Sequence, residues 1–281
     1  MDNFQAIILG FVQGITEFLP ISSTAHLRII PALFKWNDPG TAFSAVIQLG
    51  TMFSVIIYFK DDLLKISTSF FQDIFCRGKV TLSLQNYDSK LAYWILIGTI
   101  PICFFGLLFK DPIEHGIVRN LFIISFYLIL FGILLYVAEL IAKQSKSLNE
   151  INMFDVFLFG LAQSFALIPG VSRSGVTLLA GLILGYKRSD AAKFSFLLSV
   201  PAVFLSGVLE LKTLFEVVKL NSETIIWANL FLGVLISFIS GYFSIHYLLR
   251  FFQTHRSTVF VIYRVVLGII IIYLASKGII H

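Results

Sequence analysis

Charge is scarce in this chain. Asp, Glu, Lys and Arg together make up 13% of its 281 residues, about half the share of an ordinary soluble domain, which excludes a water-solvated globule. Cysteine is almost missing too. Cys76 and Cys103 fall in a connection and an apolar stretch, so neither a disulfide framework nor a cysteine metal cluster can organise the fold. No basic tract is present either. The net charge of +5 is spread over the connections between apolar stretches, where Lys and Arg report orientation in a membrane rather than a nucleic-acid partner. The first apolar stretch, Phe4 to Thr16, has no basic region before it and runs into Glu17 instead of a small-residue cleavage site. It is therefore read as part of the mature fold and not as a signal peptide.

Apolar residues fill that space: 57% of the chain is hydrophobic and 30 residues are Phe. Six stretches are long enough for the roughly 30 Å hydrocarbon core of a bilayer. They are Ala42 to Phe59, Leu91 to Phe109, Leu121 to Ala138, Ala191 to Leu209, Ile225 to Leu249 and Thr258 to Ser276. Two more, Phe4 to Thr16 and Val156 to Pro169, are too short to cross and are each followed by a small polar run. Such lengths fit re-entrant segments. The long connection from Asp61 to Lys90 is the one sizeable polar insertion, and no chemistry attaches to it.

The two short stretches echo each other. Gly10-Phe11-Val12-Gln13 answers Gly160-Leu161-Ala162-Gln163, and Pro20-Ile21-Ser22-Ser23 answers Pro169-Gly170-Val171-Ser172. Downstream, Phe43-Ser44-Ala45-Val46-Ile47 answers Phe194-Ser195-Phe196-Leu197-Leu198. The fold expected is all-α: one polytopic membrane domain over 1–281, with six transmembrane helices and two re-entrant helical hairpins. Repeat one covers 1–150 and repeat two 151–281. Three spans per half is an odd number, so the second half enters the membrane inverted. One face of the membrane collects eleven Lys and Arg, from Lys60 to Lys90, Lys143 to Lys146, Lys187 to Arg188 and Arg250 to Arg256; the other collects seven. By the positive-inside rule both termini face outward.

Polar side chains gather at the two breaks. In the first, Gln13 and Glu17 are four apart and share a helix face, presenting an amide oxygen beside a carboxylate. Pro20 stops that helix, Ser22 or Ser23 caps the next, and His26 falls in or near its first turn. A helix N-terminus at membrane depth is an anion site, because its free N–H groups have no water to satisfy them. Glu17 and His26 could instead merely pair to make a buried turn tolerable. Yet a carboxylate, an imidazole and three hydroxyls within ten residues at a helix break favour function. In the second break, Gly170 and Gly175 admit a close ligand, Ser172 caps the following helix with Ser174 nearby, and Arg173 offers a planar fork for phosphate. The competing role for Arg173 is to neutralise Glu17 across the pseudo-symmetric centre, and the two roles are compatible.

These groups suit a pyrophosphate. Glu17, helped by Gln13, would hold a hard divalent cation, Mg²⁺ or Ca²⁺, bridging phosphate oxygens; zinc is excluded because no second His or Cys lies near His26. His26, Ser23 or a water remains open as nucleophile, with His26 also available as general acid or base. Arg264 has two readings, a second phosphate contact or a packed Arg paired with a loop carboxylate. Gln48, at the counterpart of Ser199, is expected to bond between helices.

The string Gly-Ile-Thr-Glu-Phe-Leu-Pro-Ile-Ser-Ser-Thr-Ala-His from Gly14 to His26, with Pro-Gly-Val-Ser-Arg-Ser-Gly from Pro169 to Gly175, closely resembles the bacterial undecaprenyl-diphosphatase family, the bacitracin-resistance proteins. The resemblance extends through Phe43 to Gly50 and Phe194 to Pro201 and so covers nearly the whole chain. It implies a Mg²⁺- or Ca²⁺-dependent hydrolysis of undecaprenyl pyrophosphate at the outer face of the bacterial plasma (inner) membrane, recycling the carrier lipid for cell-wall synthesis. It also implies Glu17 as the essential acid, Ser23 and His26 as a catalytic pair and Arg173 as the phosphate arginine, with Ser22, Ser172 and Ser174 around the phosphates. One position departs from the family, which often has Glu where this chain has Gln13, a weaker cation ligand. The partners expected are the polyprenyl pyrophosphate, membrane lipid and a second copy of the chain in a homodimer, with no nucleic acid. The rival class is a transporter or flippase of a polyprenyl phosphate, since inverted repeats with broken helices also serve alternating access. The signature of the acid-phosphatase-type membrane phosphatases is missing, because no His follows Ser172-Arg173 before His246.

Overall fold

The computed structural model describes residues 1–75, 86–109, 120–221 and 225–280, with the side chains of 213–226 left out. Cys76, His115 and His281 lie outside the described residues. Among the described residues the regular elements are helices: α1 Asn3–Phe18, α2 Ser23–Phe34, α3 Gly40–Tyr58, α4 Lys60–Phe75, α5 Tyr87–Leu108, α6 Leu121–Ile141, α7 Met153–Ser164, α8 Arg173–Ile183, α9 Arg188–Asn221, α10 Ile225–Thr254 and α11 Thr258–Ser276. Six of these, α3, α5, α6, α9, α10 and α11, are long and apolar enough to cross a bilayer, making this a multi-pass membrane protein.

The four short helices build the hairpins. α1 has 16 residues and α2 has 12, hence about 24 and 18 Å, and neither reaches across roughly 30 Å of hydrocarbon. α7 with 12 residues and α8 with 11 are shorter still. Their starts are well defined. Asp2 and Gln5 form a capping box on α1, and Asn152 and Asp155 form one on α7, satisfying amides that a helix leaves free.

The breaks differ from the sequence register by one residue. Ser22 (φ 72°) and Ser172 (φ 69°) are both left-handed residues at the N-cap of the following helix. Ser22 therefore corresponds to Ser172, and Ser23 corresponds to Arg173, where the Pro-to-Pro match had set Ser23 against Ser172. Gln13 to Ser22 and Gln163 to Ser172 each span nine residues, so the two hairpins stay in step and it is Pro169 that comes one residue earlier than Pro20; the second hairpin also carries a 3₁₀ turn, Phe165–Leu167, which the first lacks.

Glycine sets the closeness of packing around the hairpins. A Cβ on Gly10 of α1 would lie 2.5 Å from the carbonyl oxygen of Gly233 on α10, and one on Gly160 of α7 would lie 2.6 Å from that of Gly98 on α5. Backbones this near are how helices associate where lipid offers no hydrophobic drive. At the membrane face shared by the end of α6 and the starts of α9 and α11, buried Glu139 accepts from Arg188 and, at 2.5 Å, from the Ser257 hydroxyl. Close by, Asp155 accepts from Lys146 and Tyr186. These pairs fasten one end of the bundle.

Within the polar insertion lies α4. Its buried side, Ile66 and Asp73, rests on α5, where the Ser89 hydroxyl donates to Asp73, while Leu64, Phe71 and Phe75 stay exposed. That split is the pattern of a helix at a lipid interface.

Candidate active site

Glu17 closes the last turn of α1 and is buried where the two breaks meet. Its Oε2 accepts from the Ser23 hydroxyl at 2.7 Å and from Gln13 Nε2 at 2.8 Å. Its Oε1 accepts from Arg173 Nη2, an ion pair between the halves of the chain. Ser23 and Arg173, equivalent first residues of α2 and α8, thus converge on one carboxylate. A second link crosses beside it, from the Ser174 hydroxyl to the Leu19 carbonyl at 3.0 Å.

The two helix starts are not capped alike. The Ser172 hydroxyl accepts from the Gly175 amide at 3.2 Å and contacts Ser174 Oγ at 3.2 Å. The Ser22 hydroxyl does not cap α2; it pairs with Thr24 Oγ1 at 3.0 Å. Ser23 does not cap either, because its hydroxyl belongs to Glu17. The first-turn amides of α2 therefore lack a side-chain acceptor and remain available to an anion.

His26 sits apart from this cluster. Its Nδ1 faces the Ser22 carbonyl and its Nε2 the Tyr263 hydroxyl, each at 2.7 Å, with the two rings stacked. A carbonyl only accepts, so Nδ1 carries a hydrogen, and in the neutral ring Nε2 accepts from Tyr263. The expected alternative of a Glu17–His26 pair is not what forms, since Glu17 pairs with Arg173 instead.

Across residues 6–270 the chain matches the family model described as bacitracin resistance protein BacA. The chain belongs to the BacA family. Among its relatives are proteins named undecaprenyl-diphosphatase. That of Myxococcus xanthus is 47% identical over 278 residues, covering 99% of this chain and 91% of that protein. That of Chlorobaculum tepidum is 45% identical over 285 residues, covering 99% of each. That of Pelodictyon phaeoclathratiforme is 45% identical over 288 residues, covering both chains fully.

In this BacA-family chain a pocket opens beside the ion pair, lined by Glu17, Phe18, Arg173, Ser174, Ser195, Phe196 and Ser199. It offers an acceptor, a cation and hydroxyls in a water-poor setting, which is what anchoring and activating a phosphoryl group requires. Ser195 and Ser199, both on α9, were not legible as site residues. Ser195 showed only as a member of the internal echo, and its hydroxyl is tied to Thr177 of α8. Tyr263 carried no signal, because its partner is 237 residues away. Gln48 is half-buried and, among the described residues, makes no side-chain hydrogen bond, so the expected interhelical bond is not there. Arg264 touches no carboxylate among the described residues; its guanidinium donates to backbone carbonyls.

Of the side chains that line the pocket, Glu17 is the one carboxylate. Among the described residues no three His, Cys, Asp or Glu side chains cluster. Gln13 turns its amide nitrogen, not its oxygen, toward Glu17, and its buried Oε1 has no partner. An orphaned buried oxygen one helical turn from a carboxylate fits a hard cation in donor type, with most of the coordination left to the substrate's own oxygens.

Proposed function

We infer that this protein is an undecaprenyl-diphosphatase, which hydrolyses the phosphoanhydride of undecaprenyl pyrophosphate and returns the monophosphate to cell-wall synthesis. Bacitracin resistance follows, because the pyrophosphate that the antibiotic needs is removed. The observation that carries the reading is the convergence of Ser23 and Arg173 on buried Glu17 where two broken helices meet. Pyrophosphate oxygens compete with Glu17 for Arg173, whose fork suits them in shape and charge. The uncapped start of α2 takes further oxygens.

Glu17 Oε2 already accepts the Ser23 hydrogen, so it is the general base and Ser23 the nucleophile. Ser23 Oγ attacks the terminal phosphorus, its proton passes to Glu17, and the bond to the bridging oxygen breaks; Glu17 hands the proton on to the departing undecaprenyl phosphate and is a carboxylate again. Water then cleaves the phosphoserine with the same carboxylate as base, releasing inorganic phosphate. Both ring nitrogens of His26 are engaged by Ser22 and Tyr263, which favours an orienting role for it over direct attack. Glu17 and Gln13 Oε1 would hold Mg²⁺ or Ca²⁺, which supplies positive charge to the pyrophosphate.

The decisive experiment uses purified protein in detergent, where no sidedness exists. Inorganic phosphate should be released from undecaprenyl pyrophosphate, stop in excess chelator and return with added Mg²⁺ or Ca²⁺. No release under any of these conditions would leave the lipid transporter as the better reading. Full activity in chelator would instead remove the cation alone.

The matched order of short helix, break, short helix and long span in α1–α3 and α7–α9 supports an inverted duplication. On the charge count, the side of α4 and the Glu139 cluster faces the cytoplasm of the bacterial inner membrane, and the first hairpin opens outward. A cysteine at Asn3 should then react with an impermeant thiol reagent in intact cells; protection there reverses the orientation.

A further inference from the structure

Arg264 lies within the membrane-spanning helix α11 and is fully buried, at 0% exposure. A cation at such depth is costly unless its donors are satisfied, and it persists where it serves a purpose. All five of its hydrogen bonds end on backbone carbonyls. Two hold it to α6, from Nε to Leu128 at 3.0 Å and from Nη2 to Tyr127 at 3.3 Å. The other three reach the breaks. Nη1 donates to Pro20 in the first at 3.2 Å, and Nη2 donates to Gly170 and Val171 in the second, each at 3.0 Å.

Carbonyls at a break lack the intrahelical partners that a continuous helix would give them. One planar fork therefore satisfies acceptors from both hairpins at once, which a point charge could not do. The neighbourhood leaves room for it and little more. A Cβ on Gly175 would stand 2.9 Å from Nη1, and one on Gly132 of α6 would stand 3.4 Å from the Arg264 Cβ. Pro20 lies midway in sequence between Glu17 and Ser23, and Val171 is two residues before Arg173. A slip between the two turns is thus a slip between the base and the phosphate-binding arginine.

We propose that Arg264 is a positioning residue: by holding the Pro20 turn and the Gly170–Val171 turn on one guanidinium, it fixes the register in which Glu17, Ser23 and Arg173 meet. Its consequence for turnover rests on the phosphatase reading; the tie between the turns does not.

The test pairs a distance with a rate. Spin labels at Phe34 and Ile183, exposed at the ends of α2 and α8, report how the hairpins sit against each other in the full-length protein. The labelled parent should give a narrow distance distribution. Arg264→Lys keeps the charge and loses the fork, so the distribution should broaden and kcat fall by about 10²-fold, as for an ångström-scale misplacement, with KM changed far less. Should that variant fail to fold, Gly132→Val presses on the Arg264 stem from α6 without removing any donor. It should show the same pair of effects, whereas Gly132→Ala, at ordinary contact distance, should behave as the parent. An unchanged distribution overturns the proposal, whether activity is retained or KM rises as it would for a direct phosphate contact. A broadened distribution in a protein whose parent releases no phosphate leaves the tie standing and sinks the phosphatase reading instead.

Discussion

Glu17→Gln is expected to lower phosphate release by about 10²–10⁴-fold, the range that a lost general base commands, with a smaller loss of stability than Arg173→Ala, because the charge it strands, Arg173, is the more exposed partner at 15%. The amide keeps the size of the side chain and can still accept the Ser23 hydrogen bond now made at 2.7 Å. It cannot take the proton. Loss of rate with little change in substrate binding is therefore the signature, measured as kcat against KM in detergent. Ser23→Ala should lose a similar factor, and combining the two should cost little more than either alone, because residues that act as one unit are strongly non-additive. Multiplicative losses in the double variant would separate Ser23 from Glu17 and point to water as the attacking group.

The architecture was legible because the bilayer imposes lengths. Each of the six expected spans overlaps one of the helices long and apolar enough to cross, with ends differing by a few residues. The hairpins were legible for the complementary reason, that Phe4 to Thr16 and Val156 to Pro169 are apolar yet too short. Glu17, Ser23 and Arg173 could be named from the polar residues at the breaks, and the structure brings those three together.

What stayed hidden depends on contacts that sequence spacing does not encode. The pairing of Ser23 with Arg173 was hidden because the match was set on Pro20 and Pro169, which are one residue out of step with the helices around them. The engagement of His26 by Tyr263 joins α2 to α11 across most of the chain. Arg264 was read by looking for a charged partner, because side chains are what a sequence displays. Its partners are backbone carbonyls, present at every residue and exposed only where a helix breaks. For α4, the charged residues Lys60, Asp61, Asp62 and Lys65 dominate the reading of the string and conceal its apolar stripe.

Arg173→Ala should be the most damaging single change, because it acts on stability and chemistry together. The Glu17–Arg173 pair is largely shielded, with side-chain exposures of 6% and 15%. Removing one partner of a buried pair leaves the other charge uncompensated, at a cost of about 3–5 kcal/mol. Activity should fall by about 10²–10³-fold for the lost transition-state donor alone. Arg173→Lys retains the charge without the fork and should recover most of the stability and only part of the rate. The informative variant is the double change Glu17→Ala with Arg173→Ala. It removes both charges, so thermal unfolding in detergent should move back toward the parent while phosphate release stays absent. If the double variant unfolds as early as Arg173→Ala, the stranded carboxylate is not what destabilises it. Arg173 would then support the fold through the packing of its side chain at the second break and not through the charge of Glu17.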